Sequence, residues 1–409
     1  MIRVLQVYAR LIFPFSLTVP FVAIFLSPAL SAGQSQPAMT WTGEVRPRML
    51  GQTTVDGEWD HWISMRARLG LQVRMEQGLG LFIQVQDVRL WGEESSTRDK
   101  SADAVDFHQA YLEVDSIPGV GGLVRGGRQE VSLAENRLIA APEWGQAGQS
   151  FDGLHWIRPF SGAQLNLVYL RIREGSSALH DHSADLLGAW IAFPLEALGT
   201  LDLLGIHDRS GEPDRTSQST VGSIWKRRTG RLSFRVQGMY QSGERGGMDV
   251  SAYLVAAQSS LAVLDGKGTI TLWYDHLSGD SDPSDDQVGV FSNLFGARHR
   301  YYGRSDYFVD IPEDTGGLGL RDAALKLALS PSPLLSLNLD LHTFLTAERG
   351  DLTSRHLAEE ADFWIRYRFR GALGLEAGYS LTWAGTAMKE LGRLDGTGKV
   401  GYVMTSLRF

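Results

Sequence analysis

The chain has 409 residues, no cysteine, 46 glycines and a formal net charge of −8 at neutral pH. The absence of cysteine excludes a disulfide framework and a thiolate metal site, and the acidic balance argues against a nucleic-acid partner. The mean hydropathy of −0.13 is too polar for a helical membrane protein. It suits a membrane β-barrel, in which apolar residues alternate with polar ones.

The first 32 residues have the order of a secretory signal peptide rather than of a permanent anchor. Two arginines precede an apolar stretch at residues 11–26, which two prolines interrupt, and small residues follow. Such a stretch is too short and too broken for a membrane helix. We expect cleavage near Ala32, with Ala29 as the alternative site. The predicted domains are therefore a signal peptide at 1–32 and a β-barrel at 33–409.

The clearest structural signal runs from Trp62 to Glu76, where every odd-numbered residue is apolar and most even-numbered residues are polar. Successive side chains of a strand point to opposite faces, so the pattern predicts a strand with one apolar and one charged face. Strands of soluble sandwiches average about 5–6 residues, whereas tilted membrane strands need about 9–11. Length and alternation together indicate an outer-membrane barrel with lipid outside and water inside.

The same alternation predicts an all-β transmembrane antiparallel barrel of about 18 strands, an even number as single-chain bacterial barrels have. The connections alternate between short turns, such as Gln77-Gly78, and longer polar loops. This asymmetry predicts that both termini are periplasmic. The loops 133–148 and 280–317 are long enough to fold into the lumen. The predicted strands are 41–50, 59–76, 79–92, 104–116, 120–132, 149–160, 162–174, 183–194, 199–209, 216–228, 230–243, 248–263, 267–279, 318–330, 334–347, 359–370, 372–386 and 398–409.

Basic residues recur on the face that the alternation assigns to the lumen. These residues are Arg66, Arg68, Arg74, Arg366, Arg368, Arg370 and Lys326, with Arg125 and Arg128 as further candidates. Arginine suits anion conduction because its guanidinium pairs with carboxylates and stays charged at any working pH. The alternative is that these cations pair with lumen acids and brace the wall. The acids in question are Glu113, Asp152, Asp340, Asp362 and Glu376.

Motifs of other function classes are missing from the sequence. It contains no HExxH pair, no GxSxG elbow and no Walker loop, so we predict no enzyme activity, no cofactor and no metal centre. The acidic loop Asp280–Asp286 offers oxygen ligands for Ca²⁺ but lacks the spacing of an EF-hand, which favours a solvated loop. Trp62 and Trp364 fall on polar faces, where they can contact a sugar ring. The final strand ends on Phe409, similar to the signal that the barrel assembly machinery recognises.

Three stretches resemble the alginate export family of outer-membrane barrels: residues 127–153, 293–308 and 360–379. The first begins with GRQ and closes with FDG, and the second reads NLFGARHRYYGRSDYF. The resemblance implies a monomeric eighteen-strand barrel whose positive lumen passes an anionic exopolysaccharide. Leu294-Phe295-Gly296 departs from the Leu-Tyr-Pro expected in many members, so the polymer stays open. The residues that match the family motifs are Arg128, Arg137, Asp152, His299, Gly303, Asp306 and Arg366.

Together these features predict an outer-membrane channel that exports an anionic polysaccharide or oligosaccharide, such as alginate, through an Arg-rich lumen. Expected partners are outer-membrane lipid, the barrel assembly machinery and periplasmic secretion proteins. A general or small-carboxylate uptake porin is the alternative, and an outer-membrane lipase or protease would need a catalytic set that the sequence lacks. The candidate substrate-binding residues are Arg66, Arg68, Arg74, Arg128, Arg137, Asp152, Lys326, Arg366 and Arg368.

Overall fold

The computed structural model describes residues 37–54, 57–93, 105–173, 183–211, 215–369 and 371–409. The predicted signal peptide, its cleavage site and Arg370 lie outside these ranges. Within the described ranges, no helix is long and apolar enough to cross a membrane.

A closed antiparallel barrel of eighteen strands makes up the described chain, which confirms the predicted fold. The barrel closes because β1 pairs with both β2 and β19. A short additional strand, β14, pairs in parallel with the start of β12. The strands are β1 (Ala38–Thr53), β2 (Trp59–Arg74), β3 (Leu79–Leu90), β4 (Val105–Asp115), β5 (Leu123–Gln129), β6 (Phe151–Phe160), β7 (Ala163–Arg173), β8 (Ala184–Pro194), β9 (Thr200–Ser210), β10 (Thr216–Thr229), β11 (Leu232–Arg245), β12 (Met248–Val263), β13 (Gly268–Leu277), β14 (Gln287–Val288), β15 (Leu320–Ser332), β16 (Leu335–Leu345), β17 (His356–Phe369), β18 (Leu373–Ala384) and β19 (Thr397–Arg408).

Strand β2 shows how the sequence alternation becomes two faces. Arg66 and Arg68 are buried on the lumen side, while Leu69 is 46% exposed on the membrane side. The exposed apolar side chains of the other strands complete the outer belt, with Leu112 on β4 and Phe363 on β17 among them. Because each residue step reverses the direction of the side chain, this one pattern fixes the facing of the whole strand.

The lumen wall formed by β7 to β13 departs from this pattern, because its inner face carries apolar side chains among the polar ones. Leu170, Leu186 and Leu254 point inward yet have no exposed surface. Their partners are buried apolar residues of two loops that fold into the barrel. We name these loop A (residues 130–150, between β5 and β6) and loop B (residues 289–319, between β14 and β15).

Loops A and B are joined to each other inside the barrel. The amide of Ala140 donates to the carbonyl of Phe295 at 3.1 Å, and the amide of Phe295 donates to the carbonyl of Leu138 at 2.9 Å. This short parallel ribbon satisfies backbone groups that a buried loop would otherwise leave unpaired. Loop B also contains a single helical turn, α1 (Ile311–Asp314), and α2 (Thr386–Glu390) lies between β18 and β19.

Candidate functional site: the constriction formed by loops A and B

Loop A is anchored on one wall of the barrel through Arg137, whose side chain is completely buried. Its guanidinium donates to Asp275 on β13 at 2.6 Å and to Gln237 on β11 at 3.1 Å. The ring of Tyr301 from loop B lies 3.7 Å from the guanidinium carbon. The Asp275 carboxylate raises the pKa of Arg137 further, despite its burial, so this anchor stays charged.

The other end of loop A is held by four arginines of β1 and β2. Arg46 donates to the carbonyls of Glu143 at 2.5 Å and Gly145 at 2.8 Å, and Arg48 donates to that of Trp144 at 2.8 Å. Arg66 and Arg68 donate to the carbonyls of Gln146 and Ala147, each at 3.3 Å. Strands β2 and β11 lie nine positions apart around the barrel in either direction. Loop A therefore crosses the lumen.

The carboxylate of Glu143 lies among the same cations. It is 2.9 Å from Arg66, 3.2 Å from Arg408 on β19 and 3.6 Å from Arg46. Partial burial raises the pKa of Glu143, but Arg66 and Arg408 lower it by more, so its net pKa is below the ordinary value of 4.5. Glu143 is therefore ionised at neutral pH.

Loop B is held by Glu360 of β17, which is 2% exposed. One carboxylate oxygen accepts from the amides of Arg304 at 2.7 Å and Ser305 at 3.0 Å. The Arg304 guanidinium lies 4.3 Å over the ring of Trp364 and donates to Glu376 of β18 at 3.1 Å. An arginine stacked on tryptophan and bonded to a carboxylate has a fixed orientation.

A contact between Trp144 and His299 links loop A to loop B inside the barrel. The two rings stack with centroids 3.9 Å apart and planes 6° from parallel. Asp306 joins both, since it accepts from Trp144 Nε1 at 2.9 Å and lies 2.7 Å from His299 Nδ1. Burial lowers the pKa of His299 below its ordinary value, although Asp306 partly opposes this.

A cavity of about 980 Å³ extends from these loops toward the short-turn end of the barrel. Seven arginine or lysine side chains and four carboxylates line it, so its charge is positive. A low-dielectric wall carrying excess positive charge concentrates anions. The charged lining residues are Arg46, Arg300, Arg304, Lys326, Arg366, Arg368, Arg408, Glu143, Asp340, Asp362 and Glu376.

The predicted site residues divide into two groups within the lumen. Lys326, Arg366 and Arg368 line the cavity, as does Trp364, and the first two carry ion pairs to Asp340 at 2.8 Å and to Glu376 at 2.7 Å. The residues Arg66, Arg68 and Arg137 are buried against loop A and act as its anchors. Two other predictions fall outside the cavity lining: Arg74 lies exposed at the end of β2, and Trp62 lies near its start.

The structure corrects the lumen position that the sequence predicted for Arg128 and Asp152. Their neighbours Gln129 and Phe151 are buried and face inward, with Phe151 packed edge-on against Phe295 of loop B. Alternation then places Arg128 and Asp152 on the outer face, where they form an ion pair of 2.9 Å. They belong to the membrane-facing surface near the long-loop end of the barrel.

Sequence reasoning missed Arg46, Arg48 and Arg408, although a signal was present. Arg46 and Arg48 follow Glu44 at alternate positions of β1, with Val45 and Met49 exposed on the other face. The predicted strand 41–50 already carried this pattern. Arg408 is the equivalent polar residue near the end of β19.

In the part of the chain that the structure describes, no group of three or more His, Asp or Glu side chains is arranged to hold a metal ion. The carboxylates of the acidic loop instead accept from amides of the same turn. Asp280 accepts from the amide of Asp282 at 3.1 Å, and Asp282 accepts from that of Ser284 at 3.1 Å. Whether this loop takes up Ca²⁺ stays an open prediction.

A sequence model described as alginate export matches residues 46–164 and 208–397 of the chain. None of the curated proteins compared with the chain matches it. The fold is similar to OpdO of Pseudomonas aeruginosa, with a TM-score of 0.63 and 15% identity over 91% of this chain and 97% of that one. It is also similar to OccAB4 of Acinetobacter baumannii, with a TM-score of 0.64 and 10% identity over 92% and 99%. At these identities the structural likeness shows the fold alone.

Proposed function

The chain belongs to the alginate export family and forms an outer-membrane channel, and from this premise we propose that it conducts an acidic polysaccharide of the alginate type outward. The observation that carries the proposal is the excess of cations in the cavity beside loops A and B. A polymer with one carboxylate per sugar matches a series of arginine and lysine side chains.

As the polysaccharide passes through the channel, its carboxylates exchange one binding partner for another. A uronate carboxylate gives up hydration water and takes a guanidinium or ammonium group in its place, then moves to the next cation. Weak sites suit this task because the chain must leave as well as enter. The ion pairs of Lys326 with Asp340 and of Arg366 with Glu376 keep these sites weak, because each cation is already partly neutralised.

The proposal also covers how export is driven and how the chain reaches the outer membrane. Export is driven by polymer synthesis and secretion partners in the periplasm, since the sequence contains no nucleotide-binding motif. The first 32 residues act as a signal peptide, the barrel assembly machinery inserts the chain, and the protein carries no catalytic activity. Family and fold support this proposal because both are those of outer-membrane channels.

A small-carboxylate uptake porin is the second candidate. A cavity of about 980 Å³ also holds a single small acid, and the same cations would attract it. The two candidates differ in their dependence on chain length. A polymer conduit has several successive cation sites, so affinity rises with the number of linked uronates. A porin for small acids shows no such rise.

The test is planar-bilayer conductance of the refolded protein with uronate oligomers of increasing length and neutral oligosaccharides of equal length. We expect anion selectivity and block by oligouronate that strengthens with length. Both should fall in the double variant Arg366→Ala with Arg368→Ala. The control is Arg128→Ala, which removes an outer-face arginine. Cation selectivity, or equal response to charged and neutral sugars, overturns the export proposal. Block that does not depend on length favours the small-carboxylate porin.

A further inference from the structure

The carboxylate of Glu143 occupies an anion site that the barrel wall builds from three strands. Arg46 of β1, Arg66 of β2 and Arg408 of β19 lie 3.6, 2.9 and 3.2 Å from it, while Arg68 of β2, at 4.0 Å, lies closer to Glu130, at 3.4 Å. The wall contributes one acid of its own, Glu44, which pairs with Arg66 and Arg408. Without Glu143 this group has three cations and one anion. The surplus positive charge therefore requires a further carboxylate.

The contact between Glu143 and Arg408 is accessible, as the exposure of the side chains shows. The side chain of Glu143 is 55% exposed and that of Arg408 is 59% exposed, although Arg66 behind them is fully buried. Glu143 and Arg408 both line the 980 Å³ cavity. An anion that arrives through the cavity can therefore reach Arg408 without moving the barrel wall.

The position of loop A does not depend on the Glu143 carboxylate. Arg46 and Arg48 together donate three hydrogen bonds to the backbone carbonyls of residues 143–145. Gln146 adds further bonds, since its amide accepts from Arg46 at 2.9 Å and donates to Ser64 at 3.1 Å. The carboxylate can consequently move off its cations while the loop backbone remains attached.

We propose that Arg46, Arg66 and Arg408 form a carboxylate-binding subsite for a uronate of the transported chain, and that Glu143 fills this subsite when no substrate is present. The inference rests on the proposed function for the identity of the sugar acid, but the subsite itself is defined by these contacts. A uronate carboxylate displaces Glu143 because both groups have the same charge and donor requirements. The cost of displacing Glu143 keeps the binding weak, as transit requires.

The test is block of the channel current by monomeric glucuronate, measured for wild type and for Glu143→Gln. The amide keeps the size of the side chain but removes its charge. We expect glucuronate to bind about tenfold more tightly to the variant, because it no longer has to displace one charge-assisted bond of the Glu143 carboxylate. Adding Arg408→Ala to Glu143→Gln should abolish that gain.

The matched control is Glu376→Gln, which removes one negative charge from the same cavity but leaves the proposed subsite intact. A gain in Glu376→Gln comes from Arg366, which that variant frees, and should survive the addition of Arg408→Ala. If Arg408→Ala abolishes the gain equally in both variants, general cavity charge is responsible, and this overturns the inference. So does an unchanged affinity in Glu143→Gln. Because the probe is a monomer, these outcomes judge the subsite independently of the polymer proposal, which is judged by ion selectivity and by the comparison of oligouronates with neutral sugars.

Discussion

Gly303 of loop B lies so close to Glu360 of β17 that a Cβ atom on the glycine would stand 2.3 Å from Oε1 of the carboxylate. The glycine also has a φ of 83°, in the left-handed region that disfavours other residues. The same carboxylate holds the amides of Arg304 and Ser305. Loop B can therefore attach to Glu360 in this way only because position 303, within the motif that resembles the family, is a glycine.

Gly303→Ala should detach loop B from β17 while leaving the barrel closed. The clash and the backbone strain together cost about 1–3 kcal/mol, which a local rearrangement of the loop relieves. We expect larger single-channel conductance and weaker anion selectivity. Gly317→Ala is the control, because that glycine has a similar φ of 79° but open space at its Cβ. If Gly303→Ala and Gly317→Ala change the channel equally, the effect comes from backbone strain alone and not from the clash with Glu360.

Arg137→Ala should destabilise the protein much more than Arg128→Ala, although both residues match the same motif. Arg137 is fully buried on Asp275, and removal of one partner of a buried pair costs about 3–5 kcal/mol. Arg128 is 39% exposed on the outer face, where an ion pair contributes about 0–1 kcal/mol. Unfolding by denaturant in detergent micelles measures both. Similar midpoints for the two variants would contradict the anchoring role of Arg137.

Acidification below pH 6.5 should loosen the contact between loops A and B. His299 has a folded pKa below its ordinary value of 6.5, so it binds its proton less readily when folded. Its contribution to stability is complete above pH 6.5 and is lost as the pH falls through the lower folded pKa. Current noise and conductance should therefore rise on acidification. His299→Gln should remove this pH dependence, whereas the separate contribution of Glu143, whose pKa lies below its ordinary value of 4.5, should remain.

Lys326→Gln should lower the anion selectivity of the channel. Lys326 lines the cavity 2.8 Å from Asp340 and 5.1 Å from the centre of the Trp273 ring. Its loss leaves Asp340 without that cation, so the local potential becomes more negative. We expect the permeability ratio of anion to cation to fall on the order of fivefold, which corresponds to about 1 kcal/mol. Reversal potentials in a salt gradient measure it. The outer-face variant Lys399→Gln should leave them unchanged.

The strands could be predicted from the sequence because alternation is a local property. The eighteen predicted segments correspond to the eighteen barrel strands: β12 has its predicted bounds, and β8 and β10 each differ from prediction by one residue. The sequences of β5 and β7 permit either facing, and Leu170 of β7 is apolar yet points inward. Apolar residues appear on both faces there, because loops A and B supply an apolar partner inside the lumen. Alternation alone cannot distinguish lipid from such a loop.

The site was harder to predict because it depends on contacts between distant segments. The sequence identified the cations of β2, β15 and β17 and the strand acids Asp340 and Glu376 that pair with two of them. The partners of the β2 arginines lie on loop A, whose path it did not specify. A local signal for the inward fold was present in Leu133, Leu138 and Ile139, which are apolar residues in a loop expected to be polar. Burial of that loop surface stabilises loop A inside the barrel.

The bridge between Ile139 and Phe295 has a consequence for the order of assembly. More than 150 residues separate its two sides, and the Glu143 contact to Arg408 spans 265. Contacts of such long sequence separation form late in folding. Arg408 lies on the last strand, so its contact with Glu143 can form only when β19 has joined the barrel. Pairing of β19 with β1 therefore both closes the wall and completes the group of arginines around the Glu143 carboxylate.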